Sequence, residues 1–111
     1  MSQKVATLDE IRAPAADFRK RAPTLQALAA WVNAECSGFR ATIDTRWVDT
    51  SRQVPGHRFV YAHTGYDAPR LTITDASGRE VYEFTRFREF RNYQACNWIV
   101  SNLDRLQRGQ R

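Results

Sequence analysis

The spacing of apolar residues changes at Gly38, and that change limits the folds open to this chain. Upstream, TLQALAAWVNAEC (24–36) places Leu25, Leu28, Val32 and Cys36 on one helical stripe, with Trp31 beside it. Thr24, after Pro23, can cap the helix, and Gly38 stands where glycine ends helices. Downstream, GFRATIDTRWVDT (38–50) alternates with period two. Phe39, Ala41, Ile43, Thr45 and Trp47 share one face; Arg40, Thr42, Asp44, Arg46 and Val48 share the other. A helix thus runs into a half-buried strand.

Three more strand signals follow. RFVYAHT (58–64) comes after the turn-rich TSRQVPGH (50–57), and GYDAP (65–69) reads as a turn. RLTIT (70–74) points Leu71 and Ile73 inward, and DASG (75–78) suits a hairpin loop. In REVYEFTRF (79–87), Tyr82 and Phe84 oppose Val81 and Phe87, a conflict of phase that a bulge or a sheet covered on both sides resolves. A last helix spans about 90–108, with Asn92 as N-cap and Tyr93, Cys96, Ile99, Val100, Leu103 and Leu106 as its stripe.

The order α-β-β-β-β-α predicts an α+β single domain. Its sheet is expected to be a four-stranded antiparallel meander, with an N-terminal and a C-terminal helix packed on one face and the other face open. That domain covers 24–107. Residues 1–23 read as a partly helical extension, in which PAADFRKR (14–21) makes two turns from Pro14 and points Phe18 inward. Residues 108–111 read as a frayed tail. The run Arg19-Lys20-Arg21 reads as a solvated face, with a phosphate-contacting arm as the alternative.

Composition narrows function by exclusion. With 42% hydrophobic residues, the chain has enough apolar sequence for a packed core. No stretch is long and apolar enough to span a bilayer, and MSQKVATLDEIR lacks a signal-peptide core, so a cytoplasmic location and no membrane partner are expected. Cys36 and Cys96 are expected as buried thiols. Without a CxxC or CxxH partner they make no zinc site, so no metal or other cofactor is expected. The net charge is +5, and 15 of the 17 basic residues are arginine. Arginine suits phosphate and carboxylate, although a codon preference in an alanine-rich chain gives the same bias.

Chemistry-bearing motifs are sparse. There is no phosphate-cradling glycine loop, no GxSxG and no HExxH. His57 and His63 are six apart without a third ligand in sequence. The richest segment is REVYEFTRFREFRNY (79–93), with five aromatics and four arginines. The period places most of these aromatics in or beside the core. Arg86 and Arg88 then join Arg40 and Arg46 on the open face, with Tyr66 in a turn and Trp47 as aromatic anchors, Trp47 the weaker because its phase points inward. These six are the candidate partner-binding residues.

Three functions fit such a surface. The first is a non-enzymatic protein-binding module, an adaptor or inhibitor of the kind phages and mobile elements encode, including anti-CRISPR inhibitors of nucleic-acid-handling complexes. The second is direct RNA or DNA binding through the arginine face. The order α-β-β-β-α is shared with double-stranded-RNA-binding domains, but the final helix begins FRNYQACNW rather than with a basic, glycine- and alanine-rich turn. The third is a small metal-independent ribonuclease using Tyr61, His63, Glu83 and Arg86. Residues 57–91 hold six arginines against five carboxylates. That mixed surface favours the first reading.

Overall fold

The computed structural model describes residues 4–53, 55–56, 61–62, 64–87 and 91–108, and only the backbone at 52, 53, 61 and 62. Its elements are α1 (Leu8–Ala16), α2 (Leu25–Glu35), β1 (Phe39–Asp49), β2 (Arg52–Gln53), β3 (Tyr61–Ala62), β4 (Gly65–Asp75), β5 (Glu80–Thr85), α3 (Tyr93–Ser101) and α4 (Leu103–Arg108).

The fold is α+β, and its main sheet is antiparallel with three strands in the order β1-β4-β5. The expected four-stranded meander is therefore corrected. Of the segment expected as the second strand only Tyr61–Ala62 and Thr64 are described, and β3 pairs with β2 rather than with the main sheet, while GYDAP and the third expected strand form the single strand β4. β1 pairs with β4 from Phe39↔Asp75 to Asp49↔Gly65. The Thr50 N–H bonds the Thr64 carbonyl at 2.9 Å, and the same register runs on through Arg52↔Ala62 to Gln53↔Tyr61. The result is one long hairpin.

Pro69 explains why sequence suggested a break there. A proline removes a ladder donor and is confined to edges. The Pro69 carbonyl accepts the Arg86 N–H at 2.9 Å, so this residue's backbone faces the β5 side. Its missing donor costs nothing in the β1–β4 ladder. β5 pairs with β4 only over Arg70↔Thr85 to Thr74↔Glu80. Beyond Pro69 the hairpin continues as a two-stranded arm. The chain measures 57 × 34 × 31 Å with a radius of gyration of 17.1 Å, against about 13 Å for a compact domain near this length.

The core lies between the proximal half of the sheet and the helices. Leu71 and Ile73 are fully buried, flanked by Ala41, Phe39 and Phe84 on the same face. Tyr82 stacks on Trp98 of α3 with ring centroids 4.2 Å apart, and α2 packs along β1. The register shifts between Ile73 and Thr74, so Val81 is the extra residue of a bulge. That bulge reconciles Tyr82 and Phe84 with Val81. The 75–78 loop is a tight turn: Gly78 has φ +87°, and the Asp75 carboxylate accepts from the Ser77 and Arg79 N–H groups. These bonds, led by the Ser77 hydroxyl, hold the Asp75 carboxyl below its usual range.

The helices also differ from expectation. α1 begins at Thr7, whose hydroxyl accepts the Glu10 N–H while the Glu10 carboxylate accepts the Thr7 N–H, a capping box. Pro14 lies inside its last turn rather than at its start, and is buried with Ile11. Phe18, expected inward, is 59% exposed. Thr24 caps α2 as expected. The final helix is two: α3 ends at Asn102, whose side chain turns back to the Trp98 carbonyl, and α4 follows. Asn92 holds the N-cap position in helical conformation without a capping bond; its amide donates to the Pro23 carbonyl instead. Cys36 and Cys96 are free and buried, and burial pushes each thiol up to about 11. No helix among the described residues is long and apolar enough to cross a membrane.

Candidate functional site

Alternation along β1 and β4 divides the candidate residues between two faces. Arg40, Thr42, Asp44 and Arg46 project from the face that carries no helix, opposite Thr74, Thr72, Arg70 and Ala68. β5 adds Glu83 beside Thr72 and Glu80 beside Thr74. Arg40, Arg46 and Arg70 thus share this face with Asp44, Glu80 and Glu83, and their formal charges cancel. Arg70 forks onto Asp44, Nε to Oδ1 at 2.8 Å and Nη2 to Oδ2 at 2.5 Å. That pair lowers the Asp44 carboxyl below its ordinary value. Glu83 accepts the Thr85 hydroxyl.

The face is bare near Arg40 and Thr42 but covered toward the arm. Ala68 and Thr85 are buried there, although both point away from the helices. The Arg46 guanidinium lies 5.9 Å from the centroid of the Phe87 ring. An arginine over an aromatic face is a weak attraction at an exposed site.

A cleft of about 520 Å³ opens where β5 leaves β4. Tyr66, Asp67, Pro69, Arg86, Phe87 and Arg91 line it together with Asn92. Its geometry follows from the end of the ladder. The Arg86 N–H is anchored to Pro69, and beyond that bond no strand among the described residues pairs with β4 at Asp67. Arg86 and Arg91 are both exposed. Neither forms an ion pair with any described carboxylate. Two exposed guanidiniums beside an open strand edge can take a carboxylate or phosphate oxygen.

The structure therefore brings together Tyr66 and Arg86, with Arg46 nearby through Phe87. Tyr66 lies in a strand, half-buried on the face of Val48, and not in a turn. Arg40 stands at the other end of the sheet, beside the 75–78 turn. Arg88, His57 and His63 lie outside the described residues. Arg91, Asp67 and Phe87 belong to the cleft but not to the sequence-based set. Arg91 carried a signal, since it closes the arginine-rich segment immediately before the last helix.

Trp47 occupies the opposite face, and its phase is as expected. It shares the side of Phe39, Ala41 and Ile43, but it is 60% exposed. The helices cover the hairpin only as far as Ile43, so inward phase does not mean burial on the arm. Its indole occupies the space beside Gly65 on the neighbouring strand, where a Cβ would collide with the ring. The proposed nuclease quartet is not assembled by the backbone. Tyr61 lies nine positions along the hairpin from Arg70, roughly 30 Å from the end of β5.

No protein-family model, no curated protein and no solved structure matches this chain.

Proposed function

We propose that this chain is a small non-enzymatic protein-binding module, an adaptor or inhibitor, that seats an acidic segment of its partner in the cleft at the base of the arm. The observation that carries this reading is the pair Arg86 and Arg91, exposed and without an ion-pair partner among the described residues, both lining the cleft with Asp67 and Pro69 of β4. An extended segment can hydrogen-bond to a strand edge while a carboxylate on it meets the arginines. Tyr66 and Phe87 supply the aromatic surface that interface anchors use.

The charge balance of the helix-free face supports a protein partner over a nucleic acid. A surface that tracks a phosphate backbone needs an excess of positive charge. Among the described residues three arginines share the face with three carboxylates, and one arginine is forked onto an aspartate. An inhibitor of a nucleic-acid-handling complex, of the anti-CRISPR kind, is the specific form of this proposal. In this form of the proposal Arg86 and Arg91 meet a carboxylate-bearing surface of that partner.

The test is Arg86→Glu combined with Arg91→Glu. Wild-type protein immobilised on beads is expected to retain a specific partner from host extract, and the double variant to lose it. The melting temperature should move by no more than a few degrees, since both side chains are exposed. Equal retention by both proteins contradicts the reading. So does unfolding of the double variant, which makes the arginines structural.

A further inference from the structure

The outer edge of β1 is closed at one residue and open beyond it. Asn33 reaches from α2 and grips Ala41 as a strand would: its Nδ2 donates to the Ala41 carbonyl at 2.9 Å, and its Oδ1 accepts the Ala41 N–H at 2.8 Å. These bonds show that odd-numbered residues of β1 turn their backbone groups away from β4. Ile43, Thr45 and Trp47 follow in the same orientation. Their outward N–H and C=O groups have no hydrogen-bond partner among the described residues. A long bare edge of this kind is a template for another strand.

We propose that a second copy of this chain occupies that edge, β1 against β1 in antiparallel pairing about a two-fold axis at Thr45. The side chains select this partner and this register. Pairing Thr45 with Thr45 sets Ile43 opposite Trp47 of the second copy, on the helix-bearing face. The exposed indole of Trp47 then meets an aliphatic side chain. On the other face the same register sets Asp44 opposite Arg46 of the second copy, and Arg46 opposite its Asp44. Opposite charges directly across a ladder stabilise it, and like charges destabilise it.

Neighbouring registers lose this match. A slide of two residues in one direction sets Asp44 against Asp44, and in the other direction Arg46 against Arg46. A slide of four toward the tip sets Arg46 against Val48 and Asp44 against Thr50. The Asn33 grip on Ala41 ends the ladder on the proximal side. The two three-stranded sheets become one sheet, with the helices of both copies on the same side. The cleft of Arg86 and Arg91 borders the other edge of the sheet, so this pairing is independent of the function proposed above.

Sedimentation velocity on wild-type protein, Arg46→Asp, Asp44→Arg and an equimolar mixture of the two variants tests the inference. The wild type is expected to dimerise in the micromolar to submillimolar range. Each variant alone faces like charges and should dimerise about tenfold more weakly or not at all. The mixture restores both opposite-charge pairs and should recover a heterodimer. A wild type that stays monomeric throughout overturns the proposal and leaves the edge to some other strand. A wild-type dimer indifferent to either variant also overturns it, because the interface then lies elsewhere. If Asp44→Arg fails to fold, having lost the Arg70 fork, Arg46→Asp against wild type still decides the question.

Discussion

Trp47 and Gly65 show how one residue depends on another across the arm. The indole covers the glycine, and an added Cβ at Gly65 would collide with the ring and meet the Val48 carbonyl at 2.7 Å. The ring can swing away, but the carbonyl is backbone and cannot. Gly65→Ala should therefore destabilise the protein by about 1–3 kcal/mol in urea unfolding, and an unchanged midpoint would contradict this contact. Asp44 gives a second prediction. The Arg70 fork holds its carboxyl below the ordinary 3.8, so the pair's stabilisation is fully present above that value. It is lost only as pH falls through the lowered value. In an NMR titration the Asp44 carboxyl should have its midpoint below 3.8 in wild type and return toward 3.8 in Arg70→Ala. Alternation in the sequence puts Trp47 in phase with the inward residues, which weakens it as an exposed anchor, yet on the arm it is 60% exposed. Alternation reports which face a side chain takes, and only tertiary structure says how far the covering helices reach.

At the scale of elements, the hairpin is two structures in one register. Its proximal half is sandwiched between β5 and the helices, with Leu71 and Ile73 fully buried. Its distal half carries no helix on Thr45 or Trp47 and is held largely by hydrogen bonds across the pair, backbone and side chain, as at Thr50 and Thr64. Stability within one protein follows buried apolar contact. Amide hydrogen exchange should therefore leave Leu71 and Ile73 protected at the level of global unfolding, while the Thr50 amide exchanges orders of magnitude faster. Uniform protection along the hairpin would contradict the two-part description. Asn33→Ala removes the lock on Ala41 and should cost about 1 kcal/mol while opening the edge further. α2 and β1 were legible in sequence because cap, stripe and alternation agree there. The four-strand reading failed at GYDAP because Gly, Asp and Pro signal turns. Here the proline faces the side where β5 has ended, so the strand runs through it. α1 was obscured by Pro14 in the same way, since a capping box and burial of the proline ring maintain a helix that the proline alone argues against.

At the scale of the whole molecule, the net charge is +5, while among the described residues the helix-free face holds Arg40, Arg46 and Arg70 with Asp44, Glu80 and Glu83. That face mixes arginines with carboxylates, and the exposed Arg86 and Arg91 line a cleft at the sheet's edge. Sequence supplied the arginines and the balance of charge along the chain. It did not supply the cleft, which arises because β5 is shorter than its neighbour and stops at Thr85. We propose that this surface serves a protein partner rather than a phosphate backbone. Fluorescence anisotropy with single- and double-stranded RNA and DNA, at roughly 50 and 200 mM salt, tests it most directly. The predicted result is no saturable binding even at the lower salt. Tight binding that falls steeply between the two salt concentrations would contradict the claim and assign the arginines to phosphate.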